Sequence, residues 1–213
     1  MTASQDNQSA TTADSPHQQE SAPTPAGNPL LDVAYIAVFA ALIIALAFVA
    51  TPVGAAGVPI VLQNAAVILA GLILGRTRGF LTALLFLGLG LIGLPVLAGG
   101  KTTLAALGGP TIGYLVGYLV SATVAGSIAY LAPRGNRKAL TIYLALGAIA
   151  ALACQYLCGS VGMMFRADMS FGQALAVNVP FLIPDLVKAA CVVAIASGVH
   201  LSLPDIRRKA FLK

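Results

Sequence analysis

Charge is what this 213-residue sequence has least of: 9% of its residues are Asp, Glu, Lys or Arg, where soluble domains carry about 25%. So few charges cannot make a water-facing shell, and with 58% of the residues apolar most of the chain belongs in lipid. Tryptophan is absent, and cysteine occurs only as Cys154, Cys158 and Cys191. That is too few for a disulfide framework or a zinc site; Cys154 and Cys158, four residues apart, read as small packing residues on one helix face. The two histidines, His17 and His200, lie at opposite ends of the chain and offer no metal-binding pair. There is no H-E-x-x-H, no G-x-x-x-x-G-K-[ST] and no apolar run that holds two aspartates, which removes zinc hydrolases, P-loop ATPases and two-carboxylate enzymes. Gly159-Ser160 has no histidine to act as its base,. Gly88 to Gly93 spells G-x-G-x-x-G, but without a preceding strand or a following acid the letters carry no nucleotide site. No enzymatic activity, metal or cofactor is expected.

The charges that exist are 12 basic and 7 acidic, a net +5. Gathered into one patch, that excess would point to nucleic acid. Here the basic residues are dealt out between apolar runs, so the expected partner is the lipid bilayer and not nucleic acid.

Residues 1–28 are rich in Ser, Thr, Gln, Ala and Pro, with no Lys or Arg and three acids, Asp6, Asp14 and Glu20. Such a segment cannot bury enough apolar surface to order itself, and it lacks the basic region of a secretory signal. It reads as a disordered, uncleaved cytoplasmic tail. From residue 29 to 203 the chain is a string of apolar segments at about 31–50, 58–75, 79–97, 110–131, 139–159 and 175–202, each near the ~20 residues that cross a bilayer as a helix. Nothing alternates with period two as a lipid-facing barrel requires. The expected fold is an all-α polytopic bundle of six transmembrane helices, followed by a basic tail at 204–213. Arg76 and Arg78, Arg134, Arg137 and Lys138, and Arg207, Arg208, Lys209 and Lys213 follow the even-numbered spans, against Lys101 and Arg166 in the opposite loops. By the positive-inside rule both termini are cytoplasmic, and the loops after spans one, three and five face outward.

One pair of charges is not explained by topology. Asp185 and Lys188 stand i, i+3 inside the last span, so they share a helix face. Intramembrane charges are costly and count as a functional-site hypothesis. A self-neutralising pair that only holds the bundle together is one reading; a polar pocket in the outer half of the bundle is the other. Pro180 and Pro184 favour the pocket, since prolines free backbone groups that are tolerated only against protein or a wet cavity. The stretch 98–109 is a long outer loop, less polar than a solvated one, that would fold over something beneath it. Its glycines allow close backbone approach, and span four, starting at Pro110, would turn its first unpaired amides toward a carboxylate or carbonyl. The plainer alternative is a capped helix start with an interfacial loop. Small residues recur every four positions at Gly109, Gly113 and Gly117, at Gly71, Gly75 and Gly79, and at Ala37, Ala41 and Ala45. Such stripes let membrane helices approach closely; on a lipid-facing first helix an alanine stripe would also dock another membrane protein.

Four blocks together resemble one family. They are Val58-Pro59-Ile60-Val61-Leu62-Gln63, the run from Leu89 to Gly100 ending in Gly93-Leu94-Pro95-Val96-Leu97-Ala98-Gly99-Gly100, Gly109-Pro110-Thr111-Ile112-Gly113-Tyr114-Leu115-Val116-Gly117-Tyr118, and Pro180 to Lys188 with its D-x-x-K pair. In this order and spacing they resemble the BioY family, biotin-specific substrate-binding subunits (S components) of energy-coupling-factor (ECF) vitamin transporters, over residues 31 to 203. Departures are small: Ile112 stands where the family often has glycine, and Asn64 where a more ordinary residue is expected.

The resemblance implies six membrane helices in a bacterial plasma membrane and high-affinity biotin binding in an outward-facing pocket roofed by the loop after helix three. It further implies docking of the first helix, through an A-x-x-x-A stripe matched by Ala37, Ala41 and Ala45, onto a transmembrane coupling protein that carries two ATPases. Transport would follow toppling of the whole subunit. Biotin offers two ureido N–H donors, a carbonyl, an apolar thioether ring and a carboxylate. Asp185 would serve as acceptor and Lys188 or Lys101 as cation, with Gln63, Gly100, Gly109, Thr111 and Tyr114 contributed by the shared blocks. Two alternatives stay open: an S component for a different vitamin, and a secondary transporter that needs no coupling subunits.

Overall fold

The structure, a computed structural model, describes residues 29–51, 60–203 and 206. The polar leader 1–28, Val58-Pro59 of the first shared block and the basic cluster Arg207, Arg208, Lys209 and Lys213 lie outside the described residues. Its helices are α1 (Pro29–Ala47), α2 (Gln63–Leu74), α3 (Arg76–Leu91), α4 (Thr103–Leu107), α5 (Ile112–Ala129), α6 (Arg137–Ala167), α7 (Phe171–Ala176) and α8 (Val179–Ser202). The only strand pairing among the described residues is a two-residue antiparallel ladder, β1 (Ala50–Thr51) with β2 (Ile60–Val61).

Contacts between helix ends set the directions. Asp32 and Arg78 join the starts of α1 and α3. Asn64 reaches Asp185 near the starts of α2 and α8, and His200 reaches Leu72 near their ends. Gly113 at the start of α5 meets Gly162 near the end of α6. Thus α2, α5 and α8 run one way and α1, α3 and α6 the other.

Among the described residues four helices, α1, α5, α6 and α8, are long and apolar enough to cross a membrane by themselves. The 12-residue α2, ~18 Å at 1.5 Å per residue, is too short to span a core of about 30 Å. It is buried along its whole length except for half-buried Asn64, so its apolar run meets protein and not lipid. The span expected at 58–75 is corrected accordingly: Ile60 and Val61 are strand, and the helix begins at Gln63. The third span was placed at 79–97; its helix begins at Arg76, since the chain turns at Gly75 (φ 85) with no loop, and stops at Leu91. Arg76 and Arg78 are therefore first-turn residues of α3, not loop residues, and Arg137 and Lys138 likewise open α6. The helix of the expected fifth span, α6, extends to Ala167, past the expected end at 159, and carries Arg166 in its last turn. The sixth region is two helices: α7 is closed by a Ser170–Gln173 capping box, and α8 opens after Asn178.

Close helix crossings depend on the small residues. A Cβ on Gly71 would lie 2.3 Å from the Ala122 carbonyl oxygen, and one on Gly113 2.0 Å from that of Cys158. Those separations are well inside van der Waals contact, so α2 and α6 can lie against α5 only with glycine there. Around these crossings sit two apolar layers, one centred on Leu72, Leu144, Ala148 and Ala196, the other on Ile43, Val67, Phe86 and Ala122.

Candidate functional site

At the end where α2, α5 and α8 begin, polar side chains from four helices converge inside the apolar bundle. On α8, Lys188 Nζ lies 2.5 Å from Asp185 Oδ1. Both side chains are largely withdrawn from the surface, at 12% and 6% exposed. The ammonium also donates to the Val61 carbonyl at 2.8 Å and to Asn64 Oδ1 at 3.0 Å, which occupies all three of its N–H groups. Asp185 accepts from Asn64 Nδ2 at 3.2 Å on one oxygen and from the Tyr156 hydroxyl at 2.7 Å on the other. Val61 is held for this role by the β1–β2 ladder, where it pairs with Ala50.

A second group of contacts binds the surrounding helices together. Gln155 Nε2 on α6 donates to the Asn64 carbonyl at 3.3 Å and to Ser121 Oγ on α5 at 3.0 Å. The Tyr114 hydroxyl donates to Asn178 Oδ1 at 2.5 Å, and Asn178 Nδ2 donates in turn to Ser160 Oγ at 3.0 Å and to the Ala174 carbonyl at 3.2 Å. Tyr114 reaches Asn178 because Gly159 has no side chain: a Cβ there would lie 2.3 Å from the tyrosine ring. Ser160, which has no histidine base in the sequence, belongs to this hydrogen-bond chain.

The prolines act differently from expectation. Pro180 sits in the first turn of α8, where its missing N–H is no loss, and the helix starts there rather than loosening. Pro184 alone is interior, and by having no N–H it leaves the Pro180 carbonyl without its i+4 donor, one residue before Asp185.

The remaining expected site residues divide. Gln63 is fully buried, but its Nε2 donates to the Val96 carbonyl at 2.8 Å, tying α2 to the segment after α3. That segment folds down as expected, burying its own Val96, Leu97, Thr103 and Ala106. It is no open loop, since it contains a 3₁₀ turn at Ala98–Gly100 and the helix α4. Gly99 and Gly100 take positive φ there, and Gly100 and Lys101 are exposed. Gly109, Pro110 and Thr111 form the turn before α5, which begins at Ile112 and not at Pro110. Its opening amides are partly engaged, Ile112 N–H donating to Gly109 and Tyr114 N–H to the Thr111 carbonyl. Among the described residues, no group of three or more His, Cys, Asp or Glu side chains is placed to hold a metal. The stripe of Ala37, Ala41 and Ala45 faces outward; α1 packs through Asp32, Ala40, Ile43 and Ala47.

The opposite end of the bundle holds a feature that sequence reading passed over. Arg78, counted there as a marker of the cytoplasmic face, is buried with an ion pair to Asp32, and its guanidinium lies 5.8 Å from the centre of the Tyr35 ring. Arg78 Nη1 also donates to the Ile206 carbonyl at 3.4 Å.

Comparison with known proteins agrees on one family. A family model described as the BioY family matches residues 16–205. The biotin transporter BioY of Rhodobacter capsulatus is 42% identical over 168 residues, covering 74% of this chain and 86% of that protein. The corresponding protein of Rhizobium etli is 33% identical over 187 residues, 84% of this chain and 98% of its own. A solved structure, that of the S-component for biotin from an ECF-type ABC transporter, superposes with a TM-score of 0.70 at 30% identity, covering 80% of this chain and 91% of that one.

Proposed function

This chain belongs to the BioY family, and from that membership we propose that it is the biotin-binding S component of an ECF-type transporter, a multi-pass membrane protein that takes its ligand at the Asp185–Lys188 end. The observation that carries the reading is the bonded set of buried Asp185 with half-buried Lys188, Asn64 and Tyr156, in a chain 30% identical to a solved biotin S-component. A ureido ring needs an acceptor for its N–H groups and donors for its carbonyl. Asp185 is a carboxylate already oriented by Tyr156 and Asn64, and Lys188 and Tyr114 would supply donors by exchanging their bonds to Asn64 and Asn178 for bonds to the ligand. Polar groups buried for such partners reject ligands that leave them unpaired. Lys101 and Gly100, on the segment after α3, would take the carboxylate tail, with Gly109 and Thr111 in the turn that leads into α5.

Six membrane crossings with both termini cytoplasmic put this end outward. The short α2 contributes to the second crossing while enclosed by the bundle rather than by lipid. On the outer face of α1, Ala37, Ala41 and Ala45 are free of internal packing, which supports their role in docking the coupling protein and its two ATPases. Protein purified from cells grown with biotin should release biotin on denaturation. The apo protein should be stabilised against heat by biotin but not by thiamine or riboflavin; stabilisation by either of those instead would reassign the ligand.

A further inference from the structure

Between α5 and α6 the outer surface of the bundle carries a groove of about 460 Å³. Its walls are Ile112, Val116, Leu157, Val161 and Phe165, apolar side chains on helices that read as membrane-spanning. It runs over the crossing of Gly113 with Gly162, where a Cβ on Gly162 would lie 2.6 Å from the Gly113 Cα. One charged residue lines it, Arg166, in the last turn of α6. Arg166 spends an N–H on the Leu107 carbonyl at 3.2 Å and has no carboxylate within ion-pair distance among the described residues.

The depth of that cation in the bilayer follows from helix length. At 18 residues, α5 is ~27 Å long, close to the ~30 Å hydrocarbon core, so its first residues lie near the core boundary. Gly113 fixes Gly162 at the same level. Arg166 is four residues further along α6, about 6 Å beyond, at the height of lipid headgroups. The start of α5 adds the partial positive charge of a helix N-terminus beside it. A wholly apolar trough with an unneutralised guanidinium at its headgroup end matches an acyl chain with an anionic phosphate above it.

We propose that the α5–α6 groove is a binding site for an anionic phospholipid, its acyl chain laid along Val116, Leu157 and Val161 and its phosphate paired with Arg166. The site is distinct from the Asp185 network, and its occupancy does not depend on the ligand proposed there.

The test is native mass spectrometry of the full-length protein, delipidated and then titrated with phosphatidylglycerol or phosphatidylcholine of the same acyl chains. The wild type should retain phosphatidylglycerol at least fivefold more than phosphatidylcholine. Arg166→Gln should lower that preference to near one, and Arg166→Lys should keep most of it, which a purely structural bond to Leu107 would not explain. Val116→Trp, at an exposed position of the groove, should reduce retention of both lipids. Equal retention of the two lipids by the wild type, or an unchanged preference in Arg166→Gln, would overturn the proposal. So would a Val116→Trp variant that loses dimers while its lipid retention is unaltered, because the groove would then belong to a second copy of the chain. Glycerol phosphate should not compete at concentrations equal to the lipid; if it did, a free phosphate site would replace the lipid one.

Discussion

At one end of the bundle Asp185 and Lys188 sit one turn apart on the same helix; at the other, Asp32 and Arg78 come from different helices, α1 and α3. Both pairs are largely withdrawn from the surface, yet the roles proposed for them differ. Breaking the α1–α3 pair lets go of a helix that buries little else, only Ala40, Ile43 and Ala47 besides Asp32 itself. A pair within α8 joins no helices, and its ties to α2 and α6 run through the uncharged groups Asn64 and Tyr156. Those hydrogen bonds can be exchanged for bonds to a ligand without parting any helix. The comparison teaches that a buried charge pair is structural or functional according to what it connects, and not according to how deeply it lies.

The largest expected effect comes from breaking the structural pair. Arg78→Ala removes the counter-charge of buried Asp32 and should cost about 3–5 kcal/mol of stability, seen as a large fall in the thermal midpoint in detergent. The double change Asp32→Leu with Arg78→Met should recover most of it, because no lone charge is left buried. If Arg78→Ala melted like the wild type, the two pairs would not differ in the way described. Next in size is Gly159→Ala. Its new methyl group meets the Tyr114 ring and should cost ~1–3 kcal/mol by overpacking, while weakening biotin binding as Tyr114 leaves Asn178. A loss of stability with unaltered affinity would remove Tyr114 from the site. Smallest is Ala41→Trp on the exposed face of α1, which should change stability and biotin affinity by less than about 0.5 kcal/mol. Uptake by cells that contain the coupling subunits should nevertheless fall; unchanged uptake would separate the stripe from docking.

What could be read in advance follows physical lines. Apolar runs near bilayer length located the long helices, and α5 was placed within two residues at each end. Hydropathy could not show the turn at Gly75 that joins α2 to α3 without a loop, nor that α2 is short because protein surrounds it. It also stopped α6 too early, since the helix continues past Ser160 and Gly162, which are buried against its neighbours rather than set against lipid. At the candidate site Asp185 and Lys188 stood out because a charge in an apolar run is costly. Asn64, Gln155, Tyr156 and Asn178 did not, because an uncharged polar side chain becomes informative only when folding brings its partners to it. Asn64 had left one trace, as an unexpected residue beside Gln63. Arg78 misled for the opposite reason: at the junction of two apolar runs, a buried arginine and a topological marker look alike.

The central claim, that the Asp185–Lys188 pair serves a ligand while Asp32–Arg78 serves the fold, is tested most directly by isothermal titration of biotin. The titration would set purified wild type beside Asp185→Asn, Lys188→Ala and the Asp32→Leu/Arg78→Met double variant. The account predicts that affinity falls at least tenfold, ~1.4 kcal/mol, in each of the first two and stays within a factor of about two, ~0.4 kcal/mol, in the third. Unchanged affinity in both Asp185→Asn and Lys188→Ala would contradict it.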